Sequence, residues 1–200
     1  MIDARFAILA AVITVAGNAA YALDTVRGNT QPNRVSWLMW MVAPLIGFAA
    51  QVSQHVGLQS LLTFAIGFGP LLVVVASFLD AKAYARVTLF DILCGALSLV
   101  ALVAWAVTGT GNVAIAFTIL ADLFGAVPTL RKAYAVPESE HAVAFLGGVV
   151  GAAITLLTIK PDHWGFASAG VSVYVLVCSG AIAVLALRPR LERLAAGLQR

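Results

Sequence analysis

What constrains this chain most is a sevenfold recurrence of long apolar runs, at about residues 5–23, 36–57, 59–79, 88–107, 113–131, 142–159 and 165–187. A helix rising about 1.5 Å per residue needs roughly 20 apolar residues to cross a hydrocarbon core about 30 Å thick. Strands of a membrane barrel would alternate apolar and polar residues over about 10 positions. Pro70 to Leu79 and Gly95 to Val107 show no such alternation. The pattern predicts an all-α polytopic membrane protein with seven transmembrane helices. Seven spans use about 140 residues, which leaves short loops and no space for a separate soluble domain. Composition agrees, since 10% of the chain is charged against about 25% in soluble domains.

The few charges predict an orientation. With the N-terminus outside, the outer segments hold only Arg5 and Lys160. The inner segments hold Arg27, Arg34, Lys82, Arg86, Arg131, Lys132, Arg188, Arg190, Arg193 and Arg200. Basic residues collect on the cytoplasmic side, so the chain reads as N-out and C-in, in a bacterial inner membrane. Its basic residues are too scattered to make a nucleic-acid surface, and the bilayer is the expected large partner. Residues 1–22 also imitate a signal peptide, with Arg5, an apolar stretch and Ala20-Tyr21-Ala22. Cleavage there would put most of the basic residues on the wrong face, so the charge pattern favours a retained first helix. Cys94 and Cys178 both lie in apolar runs and read as packing residues.

A shift of 107 residues lays helix 1 on helix 5, helix 2 on helix 6 and helix 3 on helix 7, with matches at Ala7/Ala114, Ile8/Ile115 and Ala19/Ala126. Helix 4 is left over as a linker. The expected organisation is a three-helix bundle over 1–80, a linker helix over 81–111, a second bundle over 112–187 and a tail over 188–200. Both bundles start outside, which makes them parallel repeats, an arrangement that places binding near the midplane. In the tail, Leu191, Leu194, Ala195 and Leu198 form a stripe with arginines between, expected as a short interfacial helix.

Helix 5 ends Asp122-Leu-Phe-Gly-Ala-Val-Pro128-Thr129-Leu-Arg131-Lys132-Ala-Tyr134, followed by Pro137-Glu138-Ser139-Glu140. This resembles the Pro-Gln loop that closes the first helix of each triplet in the PQ-loop and SWEET-type superfamily. Thr129 stands in place of the Gln, and Ala20-Tyr21 occupy the equivalent place in the first triplet. The stretch Asp24 to Trp37 is similar to bacterial members. The resemblance covers nearly the whole chain and implies a three-plus-one-plus-three fold. It also implies transport of a small polar solute by alternating access, the superfamily including sugar and amino-acid transporters and a retrieval receptor.

Asp122 is the most informative residue, about nine residues from either end of its span. A charge at that depth costs roughly 2.5–3.5 kcal/mol on insertion scales, so it should face a cavity or a partner. Its readings are solute binding, proton coupling, or a helix–helix hydrogen bond. Thr118 and Thr129 share its face at helical spacing. Asn18 lies within a turn of the matching place in helix 1, and Tyr174 lies mid-helix 7. Trp40 stands one turn deeper than Trp37, which reads as an interfacial anchor. Asp91, one turn inside helix 4, is a second proton-coupling candidate or a partner of Arg86 or Lys82. Pro44 and Pro128 each remove a backbone hydrogen bond and are candidate hinges. Tyr21, Arg27 and Arg131 join them as candidate gate residues, with Arg34, Lys132, Glu138 and Glu140 nearby at the inner face.

Enzyme signatures are missing: the chain has no H-E-x-x-H, no G-x-S-x-G and no Gly-rich phosphate loop. His55, His141 and His163 fall in separate loops. No catalytic site, metal or cofactor is expected. The leading expectation is a transporter, with a small-molecule solute as partner and homo-oligomer formation open. A membrane receptor or assembly scaffold on the same fold is the alternative.

Overall fold

The computed structural model describes residues 2–79, 86–108 and 111–198; Lys82 and Arg200 lie outside them. Among the described residues the protein is all-helical. Seven α-helices run in chain order: α1 Phe6–Val26, α2 Arg34–Ser53, α3 Ser60–Leu79, α4 Leu89–Thr108, α5 Gly111–Ala135, α6 Ala142–Thr158 and α7 Phe166–Leu198. Each overlies one of the apolar runs. Five stretches, Phe6–Val26, Arg34–Ser53, Gly57–Leu79, Asn112–Ala135 and Phe166–Pro189, are long and apolar enough to cross a membrane. Leu89–Val100 and Ala142–Thr158 are shorter apolar stretches.

Local chemistry sets several ends. Asn33 caps α2 by accepting hydrogen bonds from the backbone N–H groups of Val35 (3.0 Å) and Ser36 (3.2 Å), which satisfies donors that the first turn leaves open. Thr88 and Asp91 form a reciprocal capping box at the start of α4. Asp91 Oδ2 accepts from the Thr88 N–H at 2.6 Å, and Thr88 Oγ1 accepts from the Asp91 N–H at 3.3 Å. Beyond α1 the chain turns at Gly28, whose φ of +75° favours glycine. Charged residues do not end α5, which runs through Pro128, Arg131 and Lys132 to Ala135. Nor does a break follow α7. The tail expected as a separate interfacial helix continues α7 through Pro189 to Leu198; around that proline, Leu, Ala, Arg and Glu are strong helix formers.

Helix α3 packs against both α1 and α2, and α7 packs against both α5 and α6. Across these groups α1 lies on α6 and α2 on α5, while α4 rides mainly on α5. Small residues bring the backbones together. A Cβ on Gly17 of α1 would come within 2.9 Å of the Val143 carbonyl oxygen, and one on Gly147 of α6 within 3.1 Å of the Ile13 carbonyl oxygen. On the α2–α5 side, Gly125 accepts the Met39 side chain and Gly47 accepts Thr118. Ser98 fixes α4 to α5 by donating to the Ala121 carbonyl at 2.6 Å. The outer faces carry exposed Val12, Val75, Val100, Val103, Val177 and Val184. Apolar surface on that scale marks a chain that meets lipid or partners rather than water, compatible with an integral membrane protein.

Candidate functional site

The packing leaves a cavity between the helices with about 60 Å³ open to the centres of water-sized molecules. A water takes up about 10–15 Å³ on that measure, so the space fits a few waters or one small group. Six helices contribute to its wall: α1 with Thr14 and Asn18, α2 with Trp37 and Trp40, α3 with Ile66 and Pro70, and α5 with Asp122. Ala144, Phe145 and Gly148 come from α6, and α7 adds Tyr174, Cys178 and Ser179 among others.

Asp122 is the only carboxylate among the residues lining this cavity, and no Lys, Arg or His side chain joins it. The Tyr174 hydroxyl donates to Asp122 Oδ2 at 2.6 Å, and the Trp40 indole N–H donates to the Asp122 backbone carbonyl at 3.3 Å. Helices α2, α5 and α7 are thereby tied at one level. Asn18 donates to the Thr14 carbonyl at 2.9 Å within α1 and rests on Gly69, where a Cβ would lie 2.6 Å from the Asn18 Cγ.

Of the candidates picked from sequence, Asp122, Asn18, Trp40 and Tyr174 meet at this cavity. Thr118 and Pro44 lie beside it, lining a smaller gap of about 10 Å³ that also touches Asp122 and Tyr174. The Thr118 and Thr129 hydroxyls are buried without a hydrogen-bond partner among the described residues. Asp91 is elsewhere, in the α4 capping box. Trp37 lines the cavity wall, 2% exposed, where an interfacial anchor was expected.

Toward the basic end of the bundle an aromatic layer follows. Trp37 lies 4.7 Å from Tyr21, 5.2 Å from Trp40 and 6.2 Å from Phe145, ring centre to ring centre. Beyond it is a buried polar bridge. The Tyr21 hydroxyl donates to Glu140 Oε2 at 2.6 Å, and Lys132 Nζ lies 2.7 Å from Glu140 Oε1. Burial pushes the Glu140 carboxyl above its usual range, while Lys132 and the Tyr21 hydrogen bond pull it back. Lys132 also donates to the Gln31 carbonyl, and the Gln31 N–H donates to the Ser139 carbonyl at 3.4 Å. Next to them His141 Nδ1 lies 2.6 Å from Asp24 Oδ2. The α1–α2 connection is thus fastened to the α5–α6 connection.

The other gate candidates sit apart from this bridge. Arg27 is exposed and lies 3.9 Å from Asp24, and Arg131 stacks over Phe90 at 4.8 Å. Arg34 donates to Ser77 and stacks over Phe78 at 4.2 Å, linking α2 to α3. A vestibule of about 490 Å³ opens outside the bridge, bordered by Asp24, Glu138, Glu140, His141 and Leu187. At the opposite end the bundle is filled by Ala50, Leu62, Ala114, Ile115, Ala152 and Val171, and Gln51 donates to the Ala167 carbonyl at 2.9 Å.

Glu140 is the residue that sequence reading undervalued. Ala144, Gly147 and Gly151 recur at helical spacing and mark the buried face of α6, but Glu140 lies on extended backbone ahead of that helix, so the helix period does not single it out. Among the described residues no group of three or more His, Cys, Asp or Glu side chains gathers to hold a metal. No protein-family model, curated protein or solved structure matches the chain.

Proposed function

We propose that the protein is a membrane transporter that moves a small polar solute by alternating access, oriented N-out with its basic end in the cytoplasm. The observation that carries this reading is the Asp122–Tyr174 pair, set in a cavity walled by six helices. A carboxylate is expensive at such depth unless it serves a pathway or a partner. Here the side chain that hydrogen-bonds it, Tyr174, belongs to another helix, and both residues face the same space.

The helix packing supports two parallel triplets around this space. Exchanging α1, α2 and α3 for α5, α6 and α7 turns the α1–α6 packing into the α5–α2 packing, and both are present. Within each triplet the third helix lies between the other two, and α4 stands aside as a linker. The resemblance to the PQ-loop and SWEET-type superfamily belongs to the same proposal. The aromatic layer and the Tyr21–Glu140–Lys132 bridge would form the inner closure. Opening it requires the α1–α2 connection to leave the α5–α6 connection, breaking the Tyr21–Glu140, Lys132–Gln31, Gln31–Ser139 and Asp24–His141 links.

The test is uptake into proteoliposomes across a panel of sugars, amino acids, amines and polyols, with and without a pH gradient. Saturable uptake of at least one solute is expected, reduced at least tenfold by Asp122→Asn. Absence of uptake for the whole panel would count against transport. Uptake that Asp122→Asn leaves unchanged, with its pH dependence, would remove Asp122 from the path.

A further inference from the structure

The cavity also constrains the charge of its occupant. Its wall brings one carboxylate, on Asp122, together with four aromatic side chains, Trp37, Trp40, Phe145 and Tyr174. Tyr174 occupies Oδ2; Oδ1 accepts no hydrogen bond from any described residue. No side chain that carries positive charge lines the space. Lys132, on the basic side, is held by Glu140 and Gln31 beyond the aromatic layer.

A carboxylate in a low-dielectric enclosure is stabilised by a positive charge within a few ångströms, and here the protein supplies none. Aromatic rings supplement such a site, because their electron-rich faces attract ammonium groups, and they do so best where water is excluded. A neutral polyol would want several hydrogen-bonding side chains around it. The wall offers a limited set: Asn18, one of whose amide hydrogens is taken by the Thr14 carbonyl, and Ser179, while Thr14 donates to the Ala10 carbonyl and Ile66, Pro70 and Ala144 are apolar. An inorganic cation would want a close shell of oxygens, whereas the side-chain oxygens of this wall, on Thr14, Asn18, Asp122, Tyr174 and Ser179, are set among aromatic and aliphatic groups. An anion would meet Asp122.

Resting on the transport reading above, we infer that the solute is a small organic cation, with its ammonium group held between the Asp122 carboxylate and the Trp37–Trp40–Phe145 aromatic group.

The experiment measures binding to the full chain in detergent micelles, by thermal shift and by tryptophan fluorescence, since two of the four tryptophans line the cavity. The probes are ethanolamine and choline, their neutral counterparts ethylene glycol and 3,3-dimethylbutanol, and sodium chloride alone. Saturable binding of one or both ammonium compounds, at least tenfold tighter than the matched neutral compound, is expected. It should be lost in Asp122→Asn and weakened several-fold in Trp40→Leu. The wild-type comparison of charged and neutral probes stands even where a variant fails to fold. Equal binding of the neutral counterparts, or a response to sodium but to neither ammonium compound, overturns the inference. Proteoliposome uptake separates the two levels. Transport of a sugar or polyol with no ammonium uptake overturns the charge assignment and leaves transport standing, whereas no uptake of any solute overturns both.

Discussion

The bridge at the basic end makes an asymmetric prediction about its two charges. The Glu140 side chain is completely shielded from solvent, while that of Lys132 keeps 16% of its surface exposed. Lys132→Met strands the carboxylate with the Tyr21 hydroxyl as its remaining support. Removing one partner of a buried pair costs about 3–5 kcal/mol, because the charge left behind stays desolvated. Glu140→Gln is milder. The amide oxygen still accepts from Tyr21, and the lysine can extend its ammonium toward the vestibule, so the loss is about 1–2 kcal/mol. At about 2–4 °C per kcal/mol for a chain of this size, Lys132→Met should lower the melting temperature by about 6–20 °C and Glu140→Gln by about 2–8 °C. The double variant should resemble Glu140→Gln, because no stranded carboxylate remains. The pH dependence has a definite sign. Burial raises the Glu140 carboxyl and Lys132 opposes that rise, so the variant lacking Lys132 has the higher value. A carboxyl raised on folding destabilises the protein above its folded value, and the penalty fades as pH falls toward the unfolded carboxyl, about 4.3. The gap between Lys132→Met and the double variant should therefore be wide at pH 8 and narrow at pH 5. Thermal unfolding in one detergent at both pH values measures it, and effects common to both proteins cancel in the difference. Equal losses for the two single variants, or a gap that does not shrink at pH 5, would refute the stranded-charge argument.

Other expectations follow from helix contacts and from orientation. Gly17→Ala, whose Cβ meets the Val143 carbonyl oxygen at 2.9 Å, should destabilise the fold by about 1–3 kcal/mol, because backbone cannot step aside. Gly180→Ala, whose Cβ finds its nearest neighbour at 3.9 Å, should be neutral or stabilising by up to about 1 kcal/mol through helix propensity; thermal unfolding distinguishes the pair. Asn33→Ala removes the α2 cap and should cost about 0.5–2 kcal/mol, with Asn33→Asp recovering most of it. In a background lacking Cys94 and Cys178, cysteines at Gln59 and Asn29 should react with a membrane-impermeant maleimide from outside and inside respectively; the opposite labelling would reverse the orientation.

Much of the architecture is legible without tertiary structure. Apolar length locates all seven helices to within a few residues at most ends, and five stretches have the length and composition together that crossing hydrocarbon demands. The exceptions are α5 and α7, which run on past the apolar runs into charged but strongly helix-forming sequence. Depth also picked out Asp122, since a lone carboxylate mid-run is costly enough to need a reason. What local reading misjudged were residues whose surroundings come from elsewhere in the chain. Trp37 looked like an interfacial anchor and lies 2% exposed against Tyr21 and Phe145. Asp91 is different, since its observed partner Thr88 lies three residues away and forms a local capping box with it.

The sequence by itself determined that this chain is a set of apolar helices with its basic residues biased toward one end. Solvent transfer costs act on each segment separately, and a 3.6-residue period assigns faces within one helix. Which faces meet was decided by the tertiary structure alone. Tyr174 reaches Asp122 from 52 residues away, and Tyr21 reaches Glu140 from 119 residues away. Those pairings depend on how closely Gly17, Gly47, Gly125 and Gly147 let neighbouring backbones approach, a property of two surfaces together that no single helix carries.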